Sequence, residues 1–238
     1  MARGAPSDLK VLAFDVFGTV VDWRSGVMAE LAAIAREHDL SVDAAAFADE
    51  WRRRYQPFLD RVRLGEEPWQ VLDELHRAAL REVVAKFSLQ SLSETDLDRL
   101  VFAWHHLPPW PDAVGGLTRL RSRFVLATLS NGGMALLIDL ARRGSLPFDC
   151  ILSVELVKSY KPDPRIYRLV PDLLAVGPEQ AMMVAAHAYD LAAAAKQGMR
   201  TAFVRRPHEW GTGKVELPDF PVDILAEDFL DLASQLGA

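Results

Sequence analysis

The fold of this chain is indicated first by residues 11–19, whose sequence is VLAFDVFGT. The apolar run that ends at Asp15 predicts a buried strand, and the turn residue Gly18 follows three positions later. Ligands of open α/β sheets bind outside the carboxyl ends of the strands. Asp15 is therefore the first candidate for an active-site residue.

Short apolar runs alternate with helical patterns through the second half of the chain. The runs cover residues 124–129, 150–154, 182–186, 201–204 and 222–225. Helical spacing separates them, for example in residues 134–143 and 190–197. Strands that alternate with helices predict a parallel sheet with right-handed crossovers. We therefore predict an α/β fold with a Rossmann-like parallel sheet.

Residues 23–107 follow a different pattern, with apolar stripes at helical spacing in residues 27–38, 45–54, 69–84 and 94–106. Three prolines within residues 108–111 end the last of these helices. We predict a catalytic core of residues 8–22 and 108–238, and a helical cap of residues 23–107. Asp190 is expected to cap a helix, and Pro171 to kink or break another. Arg205 and Arg206 are expected to be solvated.

Composition limits the classes of partner. The net charge of −6 disfavours nucleic acid or an anionic membrane surface, and no apolar run reaches the ~20 residues that span a bilayer. Cys150 is the only cysteine, so no intramolecular disulfide can form. The first ten residues lack the apolar segment of a signal peptide. We expect a cytoplasmic protein that binds neither nucleic acid nor membrane.

Four polar segments follow four of the predicted strands. They are Asp15-Val16-Phe17-Gly18-Thr19, Ser130-Asn131-Gly132, Tyr160-Lys161-Pro162-Asp163 and Ala186-His187-Ala188-Tyr189-Asp190. With these segments the chain resembles the haloacid dehalogenase superfamily, and within it the L-2-haloacid dehalogenases. The resemblance covers essentially the whole chain, including the helical insert. It implies hydrolysis of short 2-haloacids, with haloacetates among the candidates, through an aspartyl ester.

Two positions favour carbon–halogen chemistry over phosphoryl transfer. Phosphatases of the superfamily carry an aspartate two places after the nucleophile, and here that place is Phe17, which cannot protonate a leaving alkoxide. Halide ions leave without a proton. Phosphatases also use two late acidic residues to hold Mg²⁺, whereas Ala185 and Ala186 stand in the early positions here. We predict no metal and no other cofactor.

The resemblance implies a role for each candidate residue. Asp15 is the nucleophile, held ionised by Lys161, and Thr19 and Ser130 supply hydroxyl groups. Arg52, in a Trp-Arg pair, meets the halide. Asp190 and His187 orient or deprotonate the hydrolytic water, and a homodimer is implied. The other predicted substrate-binding residues are Val16, Phe17, Asn131 and Tyr189.

Several alternatives remain open from the sequence. A small-molecule phosphatase is the second enzymatic interpretation, and a catalytically idle protein that binds a small carboxylate is the third. His187 is a hypothetical base near neutral pH, or else a hydrogen-bonded core histidine. Arg52 competes with the adjacent Arg53 and Arg54 for the halide, or is a solvated helix charge.

Overall fold

The apolar runs form the strands of one parallel sheet in the computed structural model, which describes residues 8–238. The strands are β1 (Val11–Phe14), β2 (Val125–Ser130), β3 (Cys150–Ser153), β4 (Ala181–Ala185), β5 (Arg200–Val204) and β6 (Ile224–Ala226). Their order across the sheet is β3-β2-β1-β4-β5-β6. The predicted α/β fold is confirmed.

The strand order reverses next to β1. The chain moves from β1 outward to β2 and β3, then returns to place β4 on the other side of β1. Ala13 of β1 is in register with both Ala127 of β2 and Met183 of β4. Such a switch point opens a crevice at the carboxyl ends of the strands. The segments after β1 and β4 therefore meet there, and they carry Asp15 and His187.

Helices flank the sheet, and the first four lie in the insert of residues 23–107. The helices are α1 (Trp23–Glu37), α2 (Ala44–Arg63), α3 (Leu72–Lys86), α4 (Glu94–Ala103), α5 (Ala113–Arg121), α6 (Met134–Arg143), α7 (Pro164–Leu174), α8 (Ala188–Ala195) and α9 (Phe229–Gln235). Within the insert, α1 packs against α2 and α4, and α3 packs against the same two helices. The insert contacts the segment that follows β3. Trp69 of the insert stacks on Tyr160 of that segment, and the Tyr160 hydroxyl donates to the Gln70 carbonyl at 2.8 Å. The division into a core of residues 8–22 and 108–238 and a cap of residues 23–107 stays a prediction from the sequence.

Three local predictions need correction. The helix α2 runs nine residues past the predicted end at Arg54. The helix α8 begins at Ala188 with His187 as its N-cap, so Asp190 lies in the first turn and is not the cap. The helix α7 continues through Pro171 without a break. Proline removes only its own N–H there, and the Pro171 carbonyl still accepts from Ala175 and Val176 in the last turn.

Arg206 is buried, contrary to the expectation of a solvated side chain, whereas Arg205 is partly exposed and pairs with Glu227. The Arg206 guanidinium makes a bidentate ion pair with Asp112, at 2.8 and 2.9 Å, and donates to the Thr19 carbonyl at 2.8 Å. It therefore fastens the segment after β1 to the start of α5.

Among residues 8–238, none of the helices combines the length and apolar character that a membrane crossing requires.

Candidate active site

Asp15 stands directly after β1, where its N–H donates to the Val184 carbonyl at 3.0 Å and its side chain is almost fully buried. Thr19 Oγ1 lies 2.8 Å from Asp15 Oδ2, and the Ala186 N–H donates to the same hydroxyl at 3.0 Å. Since the hydroxyl accepts from Ala186, its own hydrogen is directed to Asp15. The segment after β4 thus fixes a donor on the carboxylate.

Lys161 connects two buried carboxylates. Its Nζ lies 2.6 Å from Asp190 Oδ2 and 3.4 Å from Asp15 Oδ1, and the Tyr167 hydroxyl donates to Asp190 Oδ1 at 2.7 Å. Burial lowers the pKa of Lys161, but the charges of Asp190 and Asp15 outweigh it and raise the pKa above its usual range. The Asn131 side chain holds this segment by accepting from the Lys161 N–H at 3.0 Å.

The two carboxyl groups differ in their pKa. Burial raises the pKa of Asp15, but the charge of Lys161 and the hydrogen bond and charge of His187 outweigh burial and hold it well below its usual range. Burial and the charge of Asp15 raise the pKa of Asp190 despite the nearby ammonium of Lys161. Asp15 is therefore ionised and suited to attack, while Asp190 is the more basic carboxylate.

His187 bridges Asp15 to a carboxylate that sequence reasoning missed. Its Nδ1 lies 3.0 Å from Asp15 Oδ2 and its Nε2 lies 3.0 Å from Glu209 Oε1. Burial lowers the pKa of His187, but the charge of Glu209 and hydrogen bonds to both carboxylates outweigh it and raise the pKa to about 10. An imidazolium with both N–H groups donating cannot accept a proton, so this geometry does not suit the hypothesis of a base in the free enzyme.

Glu209 is held from several sides. The Trp23 indole N–H donates to Glu209 Oε1 at 3.1 Å, and the residue is 5 % exposed. Burial raises the pKa of Glu209, but the charge and hydrogen bond of His187 and the charge of Arg52 lower it below its usual range. Gly18 leaves room for the Glu209 side chain, since a Cβ on residue 18 would lie 2.2 Å from Glu209 Oε1. The φ of +80° at Gly18 also favours glycine. The one sequence signal for Glu209 is its place beyond the end of a predicted strand.

Arg52 lies on α2 with its guanidinium 4.1 Å from the Tyr55 ring centroid and 5.4 Å from that of Trp23. Its Nη1 is buried and meets no hydrogen-bond acceptor within residues 8–238. The neighbouring arginines are engaged elsewhere, since Arg53 pairs with Glu50 and Arg54 pairs with Glu50 and Glu82. Arg54 Nε is also buried without an acceptor, but both Nη atoms of Arg54 are paired with glutamates, so Arg52 is the arginine of the three with a free buried Nη1 within residues 8–238.

The remaining predicted residues line the same region. Ser130 is fully buried at the end of β2, and Phe17 packs edge-on against Trp104 at 5.6 Å between ring centroids. Within residues 8–238 the backbone N–H groups of Val16 and Phe17 meet no acceptor. Tyr189 is 47 % exposed and lies at the rim, beside a cavity of about 620 Å³. That cavity is also lined by His187, Glu209 and Trp210.

Comparisons with known proteins match most of the chain. The family model described as "haloacid dehalogenase-like hydrolase" matches residues 9–198. The (S)-2-haloacid dehalogenase 1 of Pseudomonas sp. (strain CBS-3) is 34 % identical over 205 residues, which cover 83 % of this chain and 85 % of that protein. Two solved structures match almost the whole chain. The defluorinating L-2-haloacid dehalogenase Rha0230 has 42 % identity, a TM-score of 0.93 and 99 % coverage of both chains. The L-2-haloacid dehalogenase PA0810 has 43 % identity, a TM-score of 0.92 and coverage of 96 % and 99 %.

Proposed function

Because the chain belongs to the L-2-haloacid dehalogenases of the haloacid dehalogenase-like hydrolases, we propose that it hydrolyses short 2-haloacids to 2-hydroxy acids and halide. The observation that carries this proposal is the pair of Asp15 and Lys161. A buried, ionised carboxylate held by an ammonium ion is an activated nucleophile. Phe17 stands where a phosphatase would need a proton donor.

In the first step Asp15 attacks the carbon that bears the halogen. A carbon–oxygen bond forms, the carbon–halogen bond breaks, and the halide leaves with the bonding electrons. Arg52 supports the departing ion, because its buried Nη1 has no other partner within residues 8–238. Phe17 and Trp104 form an apolar wall that excludes water from the carbon–halogen bond.

The carboxylate of the substrate requires hydrogen-bond donors of its own, apart from the arginine that meets the halide. We assign this role to the unengaged N–H groups of Val16 and Phe17, together with the hydroxyl of Ser130. Asn131 lines the same wall and also holds the Lys161 segment in place. We assign Tyr189, which is half-exposed beside the cavity, to the rim of the substrate site. The idle carboxylate-binding alternative is weakened, since binding alone does not need Asp15 and Lys161 together.

In the second step water attacks the Asp15 carbonyl carbon of the ester. Asp190 accepts the proton of that water, since its raised pKa makes it a stronger base than an ordinary carboxylate. The bond between the Asp15 carbonyl carbon and the ester oxygen then breaks. The hydroxy acid leaves with the oxygen that came from Asp15. This oxygen takes up the proton that Asp190 had accepted.

Magnesium chemistry does not fit the residues present. The Lys161 ammonium already lies between Asp15 and Asp190, where a divalent ion bound by both carboxylates would have to sit. Two like charges in that space would repel each other strongly. We therefore propose a metal-independent reaction in which Lys161 offsets the repulsion of the two carboxylates. A cytoplasmic location and a homodimer stay predictions from the sequence.

The test is a single turnover in ¹⁸O-labelled water. The substrates are 2-chloropropionate and fluoroacetate, the latter because the solved relative Rha0230 is described as defluorinating. We expect halide release without added metal and label that appears first in the Asp15 carboxylate. Label that enters the product directly, or activity that persists in Asp15→Asn, would contradict the ester route. Mg²⁺-dependent release of phosphate from small phosphate esters would favour the phosphatase instead.

A further inference from the structure

His187 has an unusual position among the groups around Asp15, and the following inference rests on the proposed ester route. The two oxygens of Asp15 are not equivalent. Oδ2 accepts from Thr19 at 2.8 Å and from His187 at 3.0 Å, whereas among residues 8–238 the one donor to Oδ1 is Lys161, at 3.4 Å. Hydrogen bonds withdraw electron density from the oxygen that accepts them. Oδ1 is therefore the better nucleophile, and Oδ2 becomes the carbonyl oxygen of the ester.

The hydrolysis step builds negative charge on that carbonyl oxygen. When water adds to the Asp15 carbonyl carbon, the electrons of the double bond move onto Oδ2 and form a tetrahedral oxyanion. Donors already placed around such an oxygen lower the barrier, because they need not reorganise during the reaction. Thr19 and His187 are two such donors, and both are in place in the free enzyme.

We propose that His187 is a charged hydrogen-bond donor to this oxyanion rather than a base, and that Glu209 is the positioning residue that keeps the proton and ring orientation of His187. Glu209 Oε1 is itself fixed by the Trp23 N–H, and Gly18 leaves the space that Glu209 fills. The collapse of the oxyanion returns its electrons to the carbonyl and expels the hydroxy acid. His187 keeps its proton throughout.

The charges around His187 set its titration. Asp15 faces it from the end of β1, Glu209 from the loop after β5, and Tyr189 from α8, with ring centroids 5.8 Å apart. Lys161 and Arg52 act one contact further out, through Asp15 and Glu209. Ester formation removes the charge of Asp15 but not that of Glu209. The pKa of His187 then falls below its value of about 10 in the free enzyme, while Glu209 still raises it.

The two roles predict opposite dependence on pH. A donor must be protonated, so the rate of ester hydrolysis falls as the pH rises through the titration of His187. A base must be neutral, so the same rate rises with pH. Asn at position 187 carries an amide that donates a hydrogen bond but transfers no proton, and Ala carries neither group. The three side chains therefore separate a donor from a base.

The experiment measures alkylation of Asp15 and loss of the ester separately, by the mass of the intact protein after a single addition of 2-chloropropionate. We expect every variant to form the ester. His187→Ala should hydrolyse it about 10²–10³-fold more slowly, as for loss of an oxyanion donor. His187→Asn should lose only about tenfold, because a neutral hydrogen bond is roughly half as strong as a charged one. The fall in rate at high pH should be present in the wild type and absent in His187→Asn.

Glu209→Gln provides the matching test of the positioning residue. It keeps the shape and the acceptor of the side chain but removes the charge, so the high-pH fall should move to lower pH while ester formation continues. A purely structural role of Glu209 would not move this profile. Formate can enter the 620 Å³ cavity that Glu209 lines, and we expect it to restore part of the hydrolysis rate in Glu209→Ala.

The outcomes distinguish this inference from the function on which it rests. A hydrolysis rate that rises with pH in the wild type over a range in which it is constant in His187→Asn, with equal losses in His187→Asn and His187→Ala, would overturn the donor role. An unchanged pH profile in Glu209→Gln would overturn the role of Glu209. If no variant or wild type forms an ester on Asp15, the ester route itself is wrong, and the donor role is overturned with it.

Discussion

Replacing Arg52 by methionine should slow the first chemical step and leave the fold in place. Methionine keeps much of the apolar stem that lies over Tyr55 and Trp23, and removes the N–H donors. The unpartnered Nη1 is buried, so a halide there would receive a charged hydrogen bond with little competition from water. Hydrogen bonds to charged groups contribute about 1.5–3 kcal/mol, which corresponds to about 10- to 150-fold in rate.

The assay is the rate of Asp15 alkylation under single-turnover conditions, with chloride or fluoride release as a second signal. Arg53→Met is the matched control, because it removes the same group one position along α2. The Arg53 side chain is 61 % exposed and pairs with Glu50, an interaction of about 0–1 kcal/mol. Its rate should therefore stay within about fivefold of wild type. If Arg52→Met alkylates Asp15 as fast as Arg53→Met, the halide is met by another group.

Three further changes test the charges of the site. Lys161→Met leaves two buried carboxylates without their cation and should abolish ester formation, with a loss of about 3–5 kcal/mol in the free energy of unfolding measured in urea. Arg206→Met breaks the buried pair with Asp112 and should lower the free energy of unfolding by a similar amount. The control Arg205→Met, which breaks an exposed pair with Glu227, should lower it by less than about 1 kcal/mol. Equal losses in the two variants would refute the structural role of Arg206. The pKa of His187 is raised in the folded protein, so its contribution to stability is complete below about pH 6.5 and is lost as the pH rises through about 10. The free energy of unfolding should therefore decrease more between these pH values in the wild type than in His187→Asn. An equal decrease in both proteins would contradict this.

The sheet could be predicted because each strand carries its own signal. Apolar runs of four to six residues, each followed by a turn, place Asp15 and His187 after neighbouring strands once the strand order reverses at β1. Ser93 and Asp96 also stand at N-cap and N3 spacing in the sequence, and the structure contains that capping box at the start of α4. These features depend on residues that are close in sequence, where spacing alone carries information.

The features that could not be predicted depend on contacts between distant residues. Arg206 is buried because Asp112, 94 positions away, balances its charge, and nothing in the local sequence shows this pairing. Glu209 meets His187 across 22 positions, from a loop with no regular pattern. The N-cap of α8 was predicted at Asp190, three residues after its observed place at His187, because helical spacing does not mark which residue caps a helix.

The location of Glu209 has a consequence for how the family divides into groups. The match to the family model covers residues 9–198, so Glu209, the proposed positioning residue of His187, lies beyond the residues that this model matches. Proteins with the same four segments could therefore differ in how they hydrolyse the ester. Relatives of this chemical type would be recognised by a pair of positions, a histidine that caps the helix after β4 and a glutamate in the loop after β5.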